Sequence, residues 1–161
     1  MPEEFRGKSW YIRQDDIDTD MIYHNSHLAI TDISEMGQYA FGNLEGYKSF
    51  AEQAGKGDII VTGKNFGAGS SRQQAVDCFK SIGISCILAG SFGAIYERNA
   101  INAAFPVLTC TEIPELELRE GDELYVNLIT GLILNGRNNK QIKAVPFSEV
   151  QMEIYRNGGL F

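Results

Sequence analysis

The chain contains no run of about 20 consecutive apolar residues, the length a bilayer-crossing helix needs. A membrane-spanning helix is thereby excluded. It also contains no run of lysine or arginine: 14 basic residues face 21 acidic ones, for a net charge of −7. Such a surface repels phosphate backbones and anionic lipid, so neither nucleic acid nor membrane is an expected partner. An acidic metabolite stays open if a few cations gather in one pocket. Cysteine is sparse, with Cys78, Cys86 and Cys110 alone and no C-x-x-C. Three thiolates are the number an iron–sulfur cluster with one open iron uses, but "DCFK", "SCIL" and "LTC" read as one helix face and two apolar strands. Buried free thiols of a reducing compartment are expected, with no metal site in this chain. The N-terminal "MPEEFRGKSW" lacks the pattern of a signal or transit peptide, and a cytoplasmic location is the expectation.

What is present is an ordinary globular composition, 43% hydrophobic and 22% charged over 161 residues, read as one domain covering 1–161. "SWYIR" (9–13) reads as a strand and "QDDIDTDMIYHNSHL" as a long polar loop. "ISEMGQYAF" and "YKSFAEQAG" carry apolar residues at helical spacing. From Asp58 the pattern alternates strand, helix, strand, helix, strand: "DIIVTG", a helix bearing Ala75, Val76, Phe79 and Ile82 and stopped by Gly83, "ISCILAG", "SFGAIYERNAINAAF" and "PVLTC". That order implies right-handed crossovers and a parallel sheet. "DELYVNL", "GLILNG" and "KQIKAVPF" then suggest an antiparallel meander, and "SEVQMEIYRNGG" a helix capped by Ser148 and ending near Gly158. The fold class is α/β, a mostly parallel central sheet with an appended β-meander.

The chemistry concentrates in "GKNFGAGSSRQQA" (63–75). A P-loop requires Gly-Lys-Ser/Thr where Gly69-Ser70 stands, the dinucleotide fingerprint requires glycine where Arg72 stands, and neither serine has the flanking glycines of a nucleophile elbow. What remains is a strand ending at Gly63, a turn through Gly67 and Gly69, and a helix expected to begin near Ser70. Its N-terminal N–H groups and partial positive charge would favour an anion, with Arg72 supplying a fork for a carboxylate. The same residues also read as a serine cap followed by a solvated arginine.

This turn resembles the "GxNFGxGSSRE" signature of the swivel domain of the aconitase superfamily, in particular the small subunits of isopropylmalate dehydratases and homoaconitases. "DDIDTDMI" is similar to the family's "DDxDTDxI", "SFGAIYERNAIN" to "SFxRIFYRNAIN", and "NGGL" to its C-terminal glycine pair, so the likeness covers about residues 15–160. The resemblance implies a compact β/β/α swivelling domain. It implies a subunit of a reversible hydro-lyase acting on a small hydroxy diacid, 2-isopropylmalate and 3-isopropylmalate first, as in leucine biosynthesis. It places the [4Fe–4S] cluster in a partner large subunit and no cofactor in this chain.

By the same match, Ser70 is the expected base and Asp20 the acidic residue that orients the base or an arginine. Gly69, Ser71 and Arg72 are expected to grip a substrate carboxylate. Leu28, Ala29 and Ile30 lie in the specificity segment "HLAI". His24 and His27 either pair with the serine or fix their loop, and Arg98 and Asn99 match family positions open to a supporting or a contacting role. Two departures bear on substrate. Ala29 stands where homoaconitases often carry an arginine, which disfavours a third carboxylate in a semi-buried site. Ala94 stands where the family usually has another arginine, which keeps open a sister dehydratase, for instance of 2,3-dimethylmalate, or a carboxylate-binding module that has lost the chemistry. The sequence leaves open whether the free chain self-associates.

Overall fold

The computed structural model describes residues 1–161. Strand β1 (Glu4–Ile12) is the hinge of the sheet, parallel to β2 (Ile59–Thr62) on one side and antiparallel to β5 (Glu123–Asn127) on the other. Strands β3 (Cys86–Ala89) and β4 (Val107–Thr109) extend the parallel half, and β6 (Leu132–Asn135) and β7 (Gln141–Lys143) the antiparallel half. The order is β4-β3-β2-β1-β5-β6-β7. The expected meander is therefore hydrogen-bonded to the parallel strands through β1, forming one seven-stranded mixed sheet. The sheet curls on itself, because Val145, just past β7, donates its N–H to the Thr109 carbonyl of β4 at 2.9 Å.

The two halves bury their strands differently. "IIVT" of β2 and "CILA" of β3 are buried at every position, as strands covered on both faces must be. β5 alternates, hiding Leu124 and Val126 while Glu123 is exposed. Helices α4 (Gln74–Ile82) and α5 (Ala94–Asn102) make the crossovers β2–β3 and β3–β4. α4 buries Ala75, Val76, Cys78 and Phe79, and Gly83 ends it in the left-handed conformation at φ 91°. Phe79 meets Phe41 at 5.1 Å between ring centroids, within one cluster of 42 buried apolar residues. Helix α6 (Glu149–Arg156) closes the chain with a capping box on Ser148 and Gln151.

The segment between β1 and β2 differs from expectation. The loop after β1 contains a one-turn helix, α1 (Thr19–Ile22), capped by the Asp18 side chain, and a 3₁₀ turn at Asn25–His27. The two helices expected over 33–41 and 47–55 shrink to single turns, α2 (Ile33–Met36) and α3 (Phe50–Gln53). The first passes at Gly37 into a 3₁₀ turn (Gly37–Tyr39), and Phe41, left-handed at φ 56°, then ends the helical path with its ring in the core. All three cysteines are free and buried, and burial drives their thiols upward, that of Cys110 to about 12. No helix is long and apolar enough to cross a membrane.

Candidate active site

The site forms where β1 and β2 end side by side. The loop after β1 and the loop after β2 are stitched together at their bases: Lys64 N–H donates to Asp15 Oδ1 (2.7 Å), Asp16 N–H to the Lys64 carbonyl (2.8 Å) and Asn65 Nδ2 to Asp16 Oδ1 (2.9 Å). Further out, Gly67 N–H donates to the Ile17 carbonyl and Thr19 N–H to the Ala68 carbonyl. At Gly67 glycine is obligatory. Its φ is +80°, and a Cβ there would lie 2.2 Å from the Tyr96 ring.

Beyond Ala68 the pairing of main chain with main chain stops. None of the six backbone N–H groups from Gly69 to Gln74 meets an acceptor of the chain, whereas the carbonyl of Ser70 takes the Thr19 hydroxyl at 2.9 Å. Helix α4 starts at Gln74, four residues later than expected, and its N-cap Gln73 makes no side-chain cap bond. The physical reason is that Gly69 is left-handed (φ +98°), the Ser70 carbonyl is taken by Thr19 and Arg72 is drawn sideways to the first loop. Neither serine caps the helix. Ser70 and Ser71 are exposed, and the Ser70 hydroxyl has no partner in the chain. Because the field of a helix end fades within about a turn, the donors nearest Ser70 are those of the turn itself.

Arg72 is the organised cation of the site. Its side chain is 13% exposed, and Nη1 donates to Asp20 Oδ1 (2.9 Å) and to the Tyr23 carbonyl (2.8 Å), leaving Nε and Nη2 without acceptors in the chain. Asp20 also receives the Asn25 N–H on Oδ1 and Asn43 Nδ2 on Oδ2. The hydrogen bond from Arg72, chiefly, holds the Asp20 carboxyl below its ordinary range, so it stays ionised. Of the two expected roles for Asp20, the geometry places it on the arginine; it has no contact with the Ser70 hydroxyl.

The remaining candidates fall around this centre. Ser71 Oγ accepts from Asn99 Nδ2 at 3.0 Å. Leu28 is exposed, and its carbonyl accepts from Gln74 Nε2 (3.2 Å), which pins the "HLAI" loop beside the start of α4. Ala29 is exposed, while Ile30 rests part of its side chain on the core. No Ser–His pair forms. His24 Nδ1 is engaged by Ser26, and His27 stacks on Tyr39 with ring centroids 3.8 Å apart. Arg98 is exposed on α5 and makes no ion pair. Ala94 opens α5 directly behind the turn, where the preceding Gly93 leaves so little space that a Cβ would lie 2.9 Å from the Gly67 carbonyl.

Thr19, Tyr23, Asn43 and Gln74 are site residues that sequence reasoning missed. Thr19 carries a signal in hindsight, sitting inside "DTD"; Asn43, in "FGNLEG", carries none, since its bond to Asp20 crosses 23 residues. Five surface hollows lie elsewhere on the chain, and none is lined by Ser70, Ser71 or Arg72. The turn is an open face. The residues present do not fit an iron–sulfur cluster: no three His, Cys, Asp or Glu side chains gather to hold a metal ion, and the cysteine thiols are buried and protonated.

Fold and site together define a mixed α/β domain of swivel type carrying an exposed turn of unpaired N–H donors beside Arg72. Comparison with known proteins makes the assignment specific. The family model described as the Aconitase C-terminal domain matches residues 2–112. The 3-isopropylmalate dehydratase small subunit of Caldicellulosiruptor saccharolyticus is 41% identical over 156 residues, 97% of this chain and 88% of the relative. The isopropylmalate/citramalate isomerase small subunit of Methanocaldococcus jannaschii is 41% identical over 155 residues, 96% of this chain and 90% of the relative. A crystal structure of 3-isopropylmalate dehydratase from that organism superposes with a TM-score of 0.89 at 34% identity, covering 98% of this chain and 90% of the other. The chain belongs to the aconitase C-terminal domain family.

Proposed function

We propose that this chain is the small subunit of a hydro-lyase that isomerises 2-isopropylmalate and 3-isopropylmalate, working with a separate large subunit. The observation that carries the reading is the run of unpaired N–H donors from Gly69 to Gln74, beside a half-used Arg72 guanidinium and a free Ser70 hydroxyl. An array made only of donors suits a carboxylate, and the same donors lower the cost of an alkoxide on Ser70. Arg72 and the turn hold the carboxylate; Asp20 holds Arg72. Ser70 Oγ, as alkoxide, takes the proton from the carbon next to that carboxylate. The C–H electron pair becomes the new π bond and the neighbouring C–O bond breaks, giving the alkene diacid and hydroxide, which leaves as water on taking a proton from solvent. On readdition, water gives a proton to solvent and its hydroxyl to the other carbon, while Ser70, its exposed hydroxyl exchanged with solvent, protonates the carbon that had held the hydroxyl. The [4Fe–4S] cluster implied for the large subunit supplies Lewis acidity toward the leaving hydroxyl.

The relatives' names support this substrate class, and Ala29 supports an alkyl group over a further carboxylate at the position it faces. The test is reconstitution with a cluster-bearing large subunit, following alkene absorbance in the ultraviolet. Turnover of 2-isopropylmalate is expected. Ser70→Ala should lower kcat by roughly 10³-fold with KM little changed. An unchanged kcat would rule Ser70 out as the base.

A further inference from the structure

Thr19 lies between the two aspartates of "DTD" and is 4% exposed. Its main chain continues the pairing of the two loops, with N–H on the Ala68 carbonyl and its own carbonyl taken by Tyr23 N–H, both at 2.9 Å. Its hydroxyl then reaches one step further and donates to the Ser70 carbonyl at 2.9 Å. That bond replaces the next main-chain rung, which cannot form because Gly69 turns the strand away at φ +98°. Nothing else in the chain holds the Ser70–Ser71 peptide: Ser71 N–H has no acceptor, and the Ser70 carbonyl has Thr19 alone.

In a trans peptide the carbonyl and the following N–H point in opposite directions. Fixing the Ser70 carbonyl inward therefore aims the Ser71 N–H outward, among the donors of the turn. We infer that Thr19 is a positioning residue that sets the polarity of the anion-binding turn through its hydroxyl. Without that hydroxyl the peptide is free to rotate and to present a carbonyl, an acceptor, to the substrate carboxylate. The hydroxyl also fixes the backbone from which the Ser70 side chain springs, so its loss should disturb both the grip and the base. This rests on the carboxylate-binding reading of the turn.

Thr19→Val keeps the shape and removes the donor; Thr19→Ser keeps the donor. In the reconstituted enzyme, Thr19→Val should raise KM about tenfold and lower kcat about tenfold or more, since misplacement by about 1 Å can cost 10²-fold. Thr19→Ser should stay within about threefold of the parent in both. In the isolated full chain, malonate serves as the dicarboxylate probe. The Ser71 amide resonance should shift on titration in the parent and in Thr19→Ser, and lose that response in Thr19→Val. A Thr19→Val chain with parental kinetics, or with the parental Ser71 response, overturns the proposal. Should Thr19→Val not fold, the Thr19 hydroxyl proton of the parent decides: slow exchange supports the proposal, and rapid exchange contradicts it. If the parent shifts with malonate yet fails to turn over 2-isopropylmalate, the substrate assignment has failed and the positioning role stands.

Discussion

Strands β2 and β3 are both four residues long, buried throughout and followed by nine-residue helices, yet the connections that leave them differ in length and in how many donors they leave open. After β3 the chain turns in four residues, Gly90 to Gly93, and two of its four N–H groups are paired with the longer turn. Gly90 N–H takes the Gly63 carbonyl, Gly93 N–H the Phe66 carbonyl, and the Ser91 carbonyl and hydroxyl accept from Phe66 and Asn65. After β2 the chain uses eleven residues, Gly63 to Gln73, and leaves the outer donors unpaired. The short turn is a buttress for the base of the long one. Exposed donors are met by water at little cost, so six in succession beside a guanidinium that is 13% exposed form the anion-accepting feature on which the proposed function rests.

This contrast can be attacked at its base or at its tip. The largest structural effect is expected at the base: Gly67→Ala collides with Tyr96 and forces a left-handed alanine, costing about 2–4 kcal/mol and lowering Tm by about 5–15 °C. Gly69→Ala, whose Cβ would have 3.6 Å to its nearest neighbour, should lose only about 1–2 kcal/mol by thermal denaturation. Equal losses at the two positions would remove the distinction between buttress and open tip. At the tip, Arg72→Lys should raise KM roughly 10–100-fold with a smaller change in kcat, because an ammonium cannot bridge Asp20, the Tyr23 carbonyl and a carboxylate together.

Acidity should separate the turns as well. The Asp20 carboxyl is held below its ordinary value of about 3.9, so the stabilisation it gives is complete above that pH and is lost as pH falls through the lower, folded value. KM should accordingly climb on the acid side below about pH 4, and Asp20→Asn should show a raised KM at all pH values with that acid limb gone. An acid limb unaltered in Asp20→Asn would detach the pair from substrate binding. The smallest change is expected from Ala29→Arg, a shift of several-fold in kcat/KM toward tricarboxylic substrates; an unchanged preference ratio would dismiss the "HLAI" loop as a selector.

The parallel half of the fold is legible because its strands are continuous apolar runs and α4 carries a clear helical period. The start of β1 is hidden. "EFRGK" alternates charged and half-buried residues, and only pairing with β5, more than a hundred residues away, makes it a strand. The segment from Ile33 to Gln53 reads as two helices by local periodicity, but core aromatics such as Phe41 and Phe50 set its path. At the site, Ser70, Ser71, Arg72 and Asp20 are visible because glycine and motif spacing announce them. Asn43 and the hydroxyl contact of Thr19 are not, since each acts across 23 to 51 residues of intervening chain. For the same reason the start of α4 lies four residues beyond the serine cap that local sequence favours: tertiary bonds to Thr19 and Asp20 override that preference.

The central claim, that Ser70 on this open turn removes the substrate proton, is tested most directly by hydrogen exchange during catalysis. The enzyme reconstituted with its large subunit would be incubated with 2-isopropylmalate in deuterated water and the diacid analysed by mass. The account predicts deuterium at the carbon beside the carboxylate with the parent chain and none with Ser70→Ala. Deuterium entering at the parental rate in Ser70→Ala would contradict it.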